Sequence, residues 1–337
     1  MSEGGFAASP RAGVHPAAET IGGTERDGGM SVVVCTHAMR RRDQLAAAVA
    51  SLEHQTVPPA EVLVVVDHNA ELVEWVTGRW PGVTVVENAE ARGLSGARNT
   101  GLARARGSIV GFLDDDARAA ADWVERMSSA FDDPRVIGVG GTVAPEWEGG
   151  RPAWFPREFD WVVGCTYRGM PETPGPVRNV IGASMSFRRE VVVGAGAFRS
   201  ELGRVGSLPV GCEETELCIR AGRAHPRSHV LFDPAIRVDH LVPRDRATVG
   251  YFLSRCYAEG RSKAMVARLA GAQQALETER RYVSRTLPSG VARGLADAPR
   301  RGRAGGLGRA GAIVAGLAAT TAGYTAARLA AGGRPAA

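Results

Sequence analysis

Three carboxylates in succession, Asp114, Asp115 and Asp116, close an apolar run that begins at Gly107. Adjacent anions repel one another, and an oxygen-seeking divalent ion such as Mg2+ or Mn2+ relieves that repulsion. Such ions usually stay bound to substrate phosphates through one or two carboxylates. Alternation along an extended chain puts Asp114 and Asp116 on one side and Asp115 on the other. For the triplet alone, the competing reading is a solvated acidic turn capping a helix that starts near Ala120. A second acidic group, Glu213-Glu214-Thr215-Glu216, stands at an expected helix start. There the macrodipole favours negative charge, which accounts best for Glu216.

These residues need elements to hold them, and the apolar periodicity supplies them. Met30 to Cys35 and Val62 to Val66 are β-branched runs, the second ending in Asp67. Val83 to Val86 is a third strand, and the run ending in the aspartates a fourth. Between them lie helical patterns: Leu45, Val49 and Leu52 on one face, Leu72 to Arg79 stopped by Pro81, and a segment opening at Gly93 with Ser95 as N-cap. Strands alternating with helices at this spacing give right-handed βαβ units and a mostly parallel sheet, which binds ligands at the carboxyl ends of its strands. Farther on, Val136 to Val143, Asn179 to Phe187 and Ile236 to Asp239 read as strands, the last followed by His240. Residues 145–178 are rich in proline and read as a long irregular segment suited to a substrate lid.

With 337 residues and a net charge of +5, the chain has ample sequence for a large core, and its arginines are dispersed rather than striped with aromatics, against a nucleic-acid partner. The five cysteines are odd in number and lack zinc-ligand spacing, which reads as reduced thiols in a cytoplasmic protein. Residues 1–29 have a disordered-leader composition, 30–245 form the catalytic domain, 246–286 helices packing on it, and 287–308 a Gly/Arg/Pro-rich flexible linker. The uncharged run within 309–331 is weakly apolar with flanking arginines, a composition that suits a membrane-surface helix.

Four features in order resemble a family 2 glycosyltransferase of the GT-A fold over roughly Met30 to Leu269: Ser31-Val-Val-Val-Cys-Thr36; Gly93 to Gly101 with Ala97-Arg98-Asn99; Phe112-Leu-Asp114-Asp115-Asp116; and Glu213-Glu214-x-Glu216-Leu followed by Val238-Asp239-His240. The resemblance implies an α/β, Rossmann-like sheet flanked by helices. Thr36 and Asp67 would then face the nucleotide, Arg98 the diphosphate or its supporting acids, and Asp115 the ribose or sugar. Asp114 and Asp116 would be metal ligands, Asp116 the more direct, with His240 completing the set or simply a satisfied polar residue. Glu214 would be the general base. The family's Glu-Asp pair is Glu-Glu here, which leaves the base between Glu213 and Glu214. Ser184 stands where many relatives have asparagine at an acceptor contact, also assigned to Glu213. His68 replaces the second acid of a doublet, and Cys35 a common proline.

The implied reaction is metal-dependent (Mn2+ or Mg2+) transfer of a sugar, with inversion, from a nucleotide-diphospho-sugar donor to a hydroxyl-bearing acceptor. That acceptor is a glycan, natural product or lipid-linked acceptor, reached in the cytoplasm, with peripheral membrane contact through the C-terminal helix. Two alternatives stand beside it: a nucleotidyltransferase that builds a nucleotide-sugar, and a non-catalytic nucleotide-sugar or polysaccharide-binding module. The first lacks a glycine- and lysine-rich phosphate loop near the first strand.

Overall fold

A computed structural model describes residues 28–203, 211–271 and 276–332. The expected leader lies almost wholly outside these residues, as does much of the loop before Gly211. Four parallel strands form one side of the sheet: β1 (Met30–Thr36), β2 (Glu61–Val66), β3 (Val83–Glu87) and β4 (Ile109–Asp114). Five more complete it: β5 (Ala117–Ala119), β6 (Val136–Trp147), β7 (Gly175–Val177), β8 (Ser184–Arg188) and β9 (His229–Val242). The order is β3-β2-β1-β4-β8-β6-β9-β5, with β7 also on β9. Strand β8 is antiparallel to both β4 and β6, and β9 is parallel to β6, so β6 and β9 share the direction of β1 to β4.

The β-branched runs are buried on both faces because helices cover both. Val32, Val34, Val62, Val64 and Val66 pack with Leu45, Val49 and Leu52 of α1 (Arg42–Glu53) and Trp123 of α4 (Trp123–Ser129), whereas α2 (Ala70–Val76) adds Leu72 and Val76. The alternate residues Val33, Leu63 and Val65 pack with Ala97 and Leu102 of α3 (Leu94–Arg104), Val191 of α5 (Arg189–Gly194) and Leu217 of α6 (Glu213–Ala224). This two-sided burial is what continuous apolar strands require.

Several elements differ from the sequence expectation. The helix start expected near Ala120 falls at Trp123, because Ala117–Ala119 first pairs with β9. The N-cap of α3 is Gly93 at φ 132°, a conformation glycine adopts readily, and the Ser95 hydroxyl instead donates to the Leu202 carbonyl at 2.6 Å. Strand β9 runs past His240 to Val242, so the histidine lies inside a strand rather than at its end. The segment 145–178 is partly regular, with the end of β6, a 3₁₀ stretch at Arg157–Val163 and β7.

After β9 come α7 (Val249–Ala270), capped by Thr248, then α8 (Glu277–Arg281), α9 (Leu287–Gly302) and α10 (Gly308–Gly332). The linker expected at 287–308 is therefore helical; its amphipathic pattern buries Leu287 against the core and outweighs its glycine content. Helix α10 lies against α7 through Gly260 and Gly323, where a Cβ would strike the backbone of the facing helix. Within the described residues, Gly305–Ala330 is long and apolar enough to cross a membrane by length and composition, with a mean hydropathy of 1.2 and 22% of its most apolar window buried.

Candidate active site

The carboxyl ends of the strands open into a cavity of about 1300 Å³ whose walls include Asp67, Arg98, the aspartate triplet, Glu213, Glu214 and His240. The sequence-selected acids therefore converge. Asp114 is the last residue of β4, and Asp115 and Asp116 form the turn into β5. Register then does the work that spacing does not show: β5 pairs Ala117 with His240, and the Leu241 amide donates to the Asp116 carbonyl at 2.9 Å. Ligand atoms of Asp114, Asp116 and His240 all lie within 4.8 Å of one another, with His240 Nε2 3.2 Å from Asp116 Oδ1.

The turn alters the expected alternation. Asp115 and Asp116 both face Arg41, Asp115 at 2.8 Å, and Asp116 has Arg246 at 3.8 Å as well. Arg41 and Arg246 are neighbours of the turn that the sequence does not assign to the site. Arg41 sits in an Arg40-Arg41-Arg42 run that looks like any solvated basic stretch. Burial works to raise the Asp116 pKa, yet His240, Arg41 and Arg246 outweigh it and hold the carboxyl well below the usual range. For Asp115 burial prevails against Arg41, and with Asp116 adding to it the pKa rises to about 7. Burial opposes charge on His240, but Asp116 and Cys165 raise its pKa to about 10.

Arg98, buried beside Phe112 and Phe198, ties the two acidic groups together. It donates to Glu213 Oε1 at 2.7 Å, to the Gly182 carbonyl at 2.9 Å and to Asp114 Oδ1 at 3.3 Å. Glu213 is buried in this bridge, whereas Glu214, one position along α6, is half-buried and borders the cavity. Burial and the adjacent Glu213 charge push the Glu214 carboxyl up to about 8. Glu216 makes no helix cap; it is buried between Arg199 at 2.9 Å and Arg220 at 2.6 Å.

Two assignments, those of Thr36 and Ser184, change in the structure, and Asp67 gains partners within the chain. Asp67 borders the cavity, but both its oxygens are engaged: Oδ1 accepts from Asn88 at 2.7 Å, with His68 at 2.9 Å, and Oδ2 accepts from the Gly93 amide at 3.0 Å. It thereby holds the turn that starts α3. Thr36 is buried at the end of β1 and forms no part of the cavity wall. Ser184 is also buried, its hydroxyl accepting from Trp123 Nε1 at 2.9 Å, which removes it from acceptor contact. Its position on β8 opposite Leu113 turns the side chain to the α4 side of the sheet.

The donor set of Asp114, Asp116 and His240, two oxygens and a nitrogen, suits a hard to borderline divalent ion. Asp115 Oδ2 and Glu213 Oε2 are buried without a hydrogen-bond partner among the described residues. The site has unspent acceptor capacity for a cation-bearing ligand, and the residues fit such an ion.

A Rossmann-like sheet with an acid triplet at the end of its central strand, and a second acid pair one arginine away, is the GT-A arrangement. Residues 31–194 match the model of glycosyl transferase family 2. The chain is 36% identical over 238 residues, 69% of its length and 76% of the relative's, to a glucosyl-dolichyl phosphate glucuronosyltransferase of Haloferax volcanii. It is 26% identical over 242 residues, 69% and 73% of the two chains, to the succinoglycan biosynthesis protein ExoM of Rhizobium meliloti. The chain belongs to glycosyl transferase family 2 and is a glycosyltransferase. Its fold is similar to that of the mannosyltransferase PcManGT of Pyrobaculum calidifontis, solved in complex with GDP-Man and Mn2+. The TM-score is 0.57 at 19% identity, over 88% of this chain and 90% of that one.

Proposed function

We propose that this glycosyltransferase moves a sugar, with inversion, from a nucleotide-diphospho-sugar to an acceptor hydroxyl in a single displacement that depends on a divalent metal. The observation that carries the reading is the Arg98 bridge, which holds Asp114 of the metal-type group and Glu213, the neighbour of Glu214 on α6, on one guanidinium. Asp114, Asp116 and His240 would hold Mn2+ or Mg2+, which neutralises the charge growing on the departing nucleoside diphosphate. Asp115, in the same turn, would orient the donor.

Glu214 is the base. Of the two glutamates it is the one without a guanidinium partner among the described residues, and it is the less buried of the two on the cavity wall. The acceptor oxygen attacks the anomeric carbon as Glu214 takes its proton, and the bond to the diphosphate oxygen breaks with its electron pair leaving on the nucleotide. Glu213, fixed by Arg98, positions the first turn of α6 and so the neighbouring carboxylate. One base and a direct displacement need no carboxylate nucleophile. Reaction in the cytoplasm, with α10 as a peripheral contact to the membrane surface, fits that helix's apolar composition.

The test is thermal unfolding of the full chain with UDP or GDP, with and without Mn2+, beside nucleotide release from UDP- and GDP-sugars. A ligand that binds the native state at a hundredfold excess over its Kd adds about 2.7 kcal/mol. A nucleotide shift that appears with Mn2+ is the expected result. Absence of any metal-dependent shift with either nucleotide overturns the metal-dependent reading.

A further inference from the structure

The proline-rich segment 145–178 passes behind the histidine of the metal-type group. Its 3₁₀ stretch at Arg157–Val163 ends at Gly164, in the left-handed region at φ 80°, and the chain then turns Cys165 inward. The turn is fixed on several sides. Arg151 grips the Asp160 carboxylate with two bonds of 2.7 Å, and the Cys165 amide donates to the Asp160 carbonyl at 3.0 Å. The Thr166 amide donates to the Val143 carbonyl at 2.9 Å, and its hydroxyl accepts from the Val143 amide at 2.8 Å. Cys165 is fully buried, its sulfur 3.7 Å from Nδ1 of His240 and 3.7 Å from the Val163 carbonyl oxygen. The other edge of the ring faces the acids. Nε2 lies 3.2 Å from Asp116 Oδ1, yet Oδ1 has no hydrogen-bond partner among the described residues, so the two atoms stand close without satisfying each other. On that edge the turn presents Gly164. A Cβ there would come within 3.7 Å of Cε1 and 3.8 Å of Nε2, and its absence leaves the atom that must reach an ion uncrowded.

Imidazole offers a lone pair at Nε2 only when its hydrogen sits on Nδ1, and the neighbour of Nδ1 decides which form prevails. Here that neighbour is a thiol whose own hydrogen points to the Val163 carbonyl, leaving a sulfur lone pair for the Nδ1 hydrogen. We propose that Cys165 is a positioning residue of the metal site: it accepts the Nδ1 hydrogen of His240 and so fixes the ring with Nε2 facing Asp116. Whether Nε2 carries a proton or an ion, Nδ1 keeps its hydrogen on sulfur. A carboxylate commonly fills this place beside a metal-bound histidine. Sulfur is a weaker acceptor, and it orients the ring without adding another anion beside the three aspartates. This rests on the metal-dependent reading above, and adds to it the residue that sets the tautomer of the nitrogen ligand.

Metal-dependent binding of UDP and GDP to the full chain tests this without turnover. It is read as the thermal shift against Mn2+ and against Mg2+ concentration, for wild type, Cys165→Ala, Cys165→Ser, His240→Ala and the double variant. Outer partners of metal-bound histidines are worth roughly 10- to 100-fold in metal affinity, so Cys165→Ala should raise the Mn2+ requirement at least tenfold. Cys165→Val, which fills the space but offers no acceptor, should do the same and keeps the test open if the alanine variant does not fold. Mg2+ prefers oxygen ligands, so its requirement should rise less, and the preference for Mn2+ should fall as it does in His240→Ala. Serine keeps an acceptor and should recover part of the loss. In the double variant Cys165→Ala should add nothing to His240→Ala, since residues that act through one another are not additive. Equal loss with both metals, or full additivity in the double variant, marks a packing role and overturns the proposal. An unchanged Mn2+ requirement in Cys165→Ala and Cys165→Val, beside a loss in His240→Ala, overturns it too. If His240→Ala itself changes nothing, the histidine is no ligand and the proposal falls while the metal reading stands on Asp114 and Asp116. A wild-type chain whose nucleotide binding ignores both metals removes the metal-dependent reading, and the proposal with it.

Discussion

The two acidic clusters of the cavity carry the same carboxyl group, yet one member of each, Asp116 and Glu214, fare oppositely. The aspartate turn is surrounded by cations: Arg41 on both Asp115 and Asp116, with His240 and Arg246 on Asp116. Glu213 and Glu214 share one, Arg98, and Glu213 takes it. The consequence is visible in the protons. Asp116 is held ionised, whereas Glu214 is pushed up to about 8 by burial and by Glu213. A carboxylate kept charged is fitted to hold a cation throughout the reaction. One with its pKa near the working pH is fitted to accept a proton and give it up again. The difference between the carboxyl held charged and the one held protonated lies in their neighbours.

The sharpest way to break this contrast is to neutralise Glu214. Glu214→Gln should lower turnover by about 10²- to 10⁴-fold, the usual worth of a general base, while Mn2+-dependent nucleotide binding stays unchanged. Glu213→Gln should cost less turnover and more stability, since it leaves the buried Arg98 guanidinium with one carboxylate fewer. If the two variants lose turnover equally, the division of labour between them is wrong.

A smaller effect is expected on the cation side. Arg41→Met strips the turn of a counter-charge that contacts both Asp115 and Asp116 and should lower the unfolding free energy by about 3 kcal/mol in the absence of divalent ions, as loss of one partner of a buried pair does. Saturating Mn2+ should restore part of that loss, measured by thermal unfolding at fixed protein concentration, because a second cation then occupies the same charge. A destabilisation that Mn2+ leaves untouched would show that Arg41 and the metal do not answer the same carboxylates.

The pH profile separates the clusters more gently. The Glu214 carboxyl has a folded pKa of about 8 against an ordinary 4.5. Its contribution to stability is therefore complete below pH 4.5 and is lost as the pH rises to about 8. Activity should move the other way, with kcat/KM rising tenfold per pH unit below an apparent pKa near 8 as the base loses its proton. Glu214→Gln should remove this stability slope. A wild-type rate limb near pH 4.5 would place the base in a solvated environment, contrary to the structure.

Much of the parallel half was legible in the chain. The β-branched runs at β1, β2 and β4 could satisfy burial on both faces only as interior strands, and the acids at their ends followed. The N-cap of α3 was not, because the Ser95 hydroxyl finds the Leu202 carbonyl, 107 positions away, in preference to its own helix. Ser184 and Thr36 illustrate the same limit. A hydroxyl near a site in sequence says nothing about which face of the sheet it takes, and Ser184 is turned under Trp123. The helical character of 287–302 escaped notice because its glycines and Pro299 read as a linker, whereas packing of Leu287 into the core decided it.

The sequence alone determined the strand-helix alternation and the acid types at the strand ends, because burial and local periodicity are properties of neighbouring residues. Tertiary structure decided which of those acids are held charged and which are pushed toward the protonated form. That depends on Arg41, Arg98 and His240 arriving from separate elements through strand register and helix packing, and the effect of a charge on a carboxylate is set by distance and burial rather than by place in the chain.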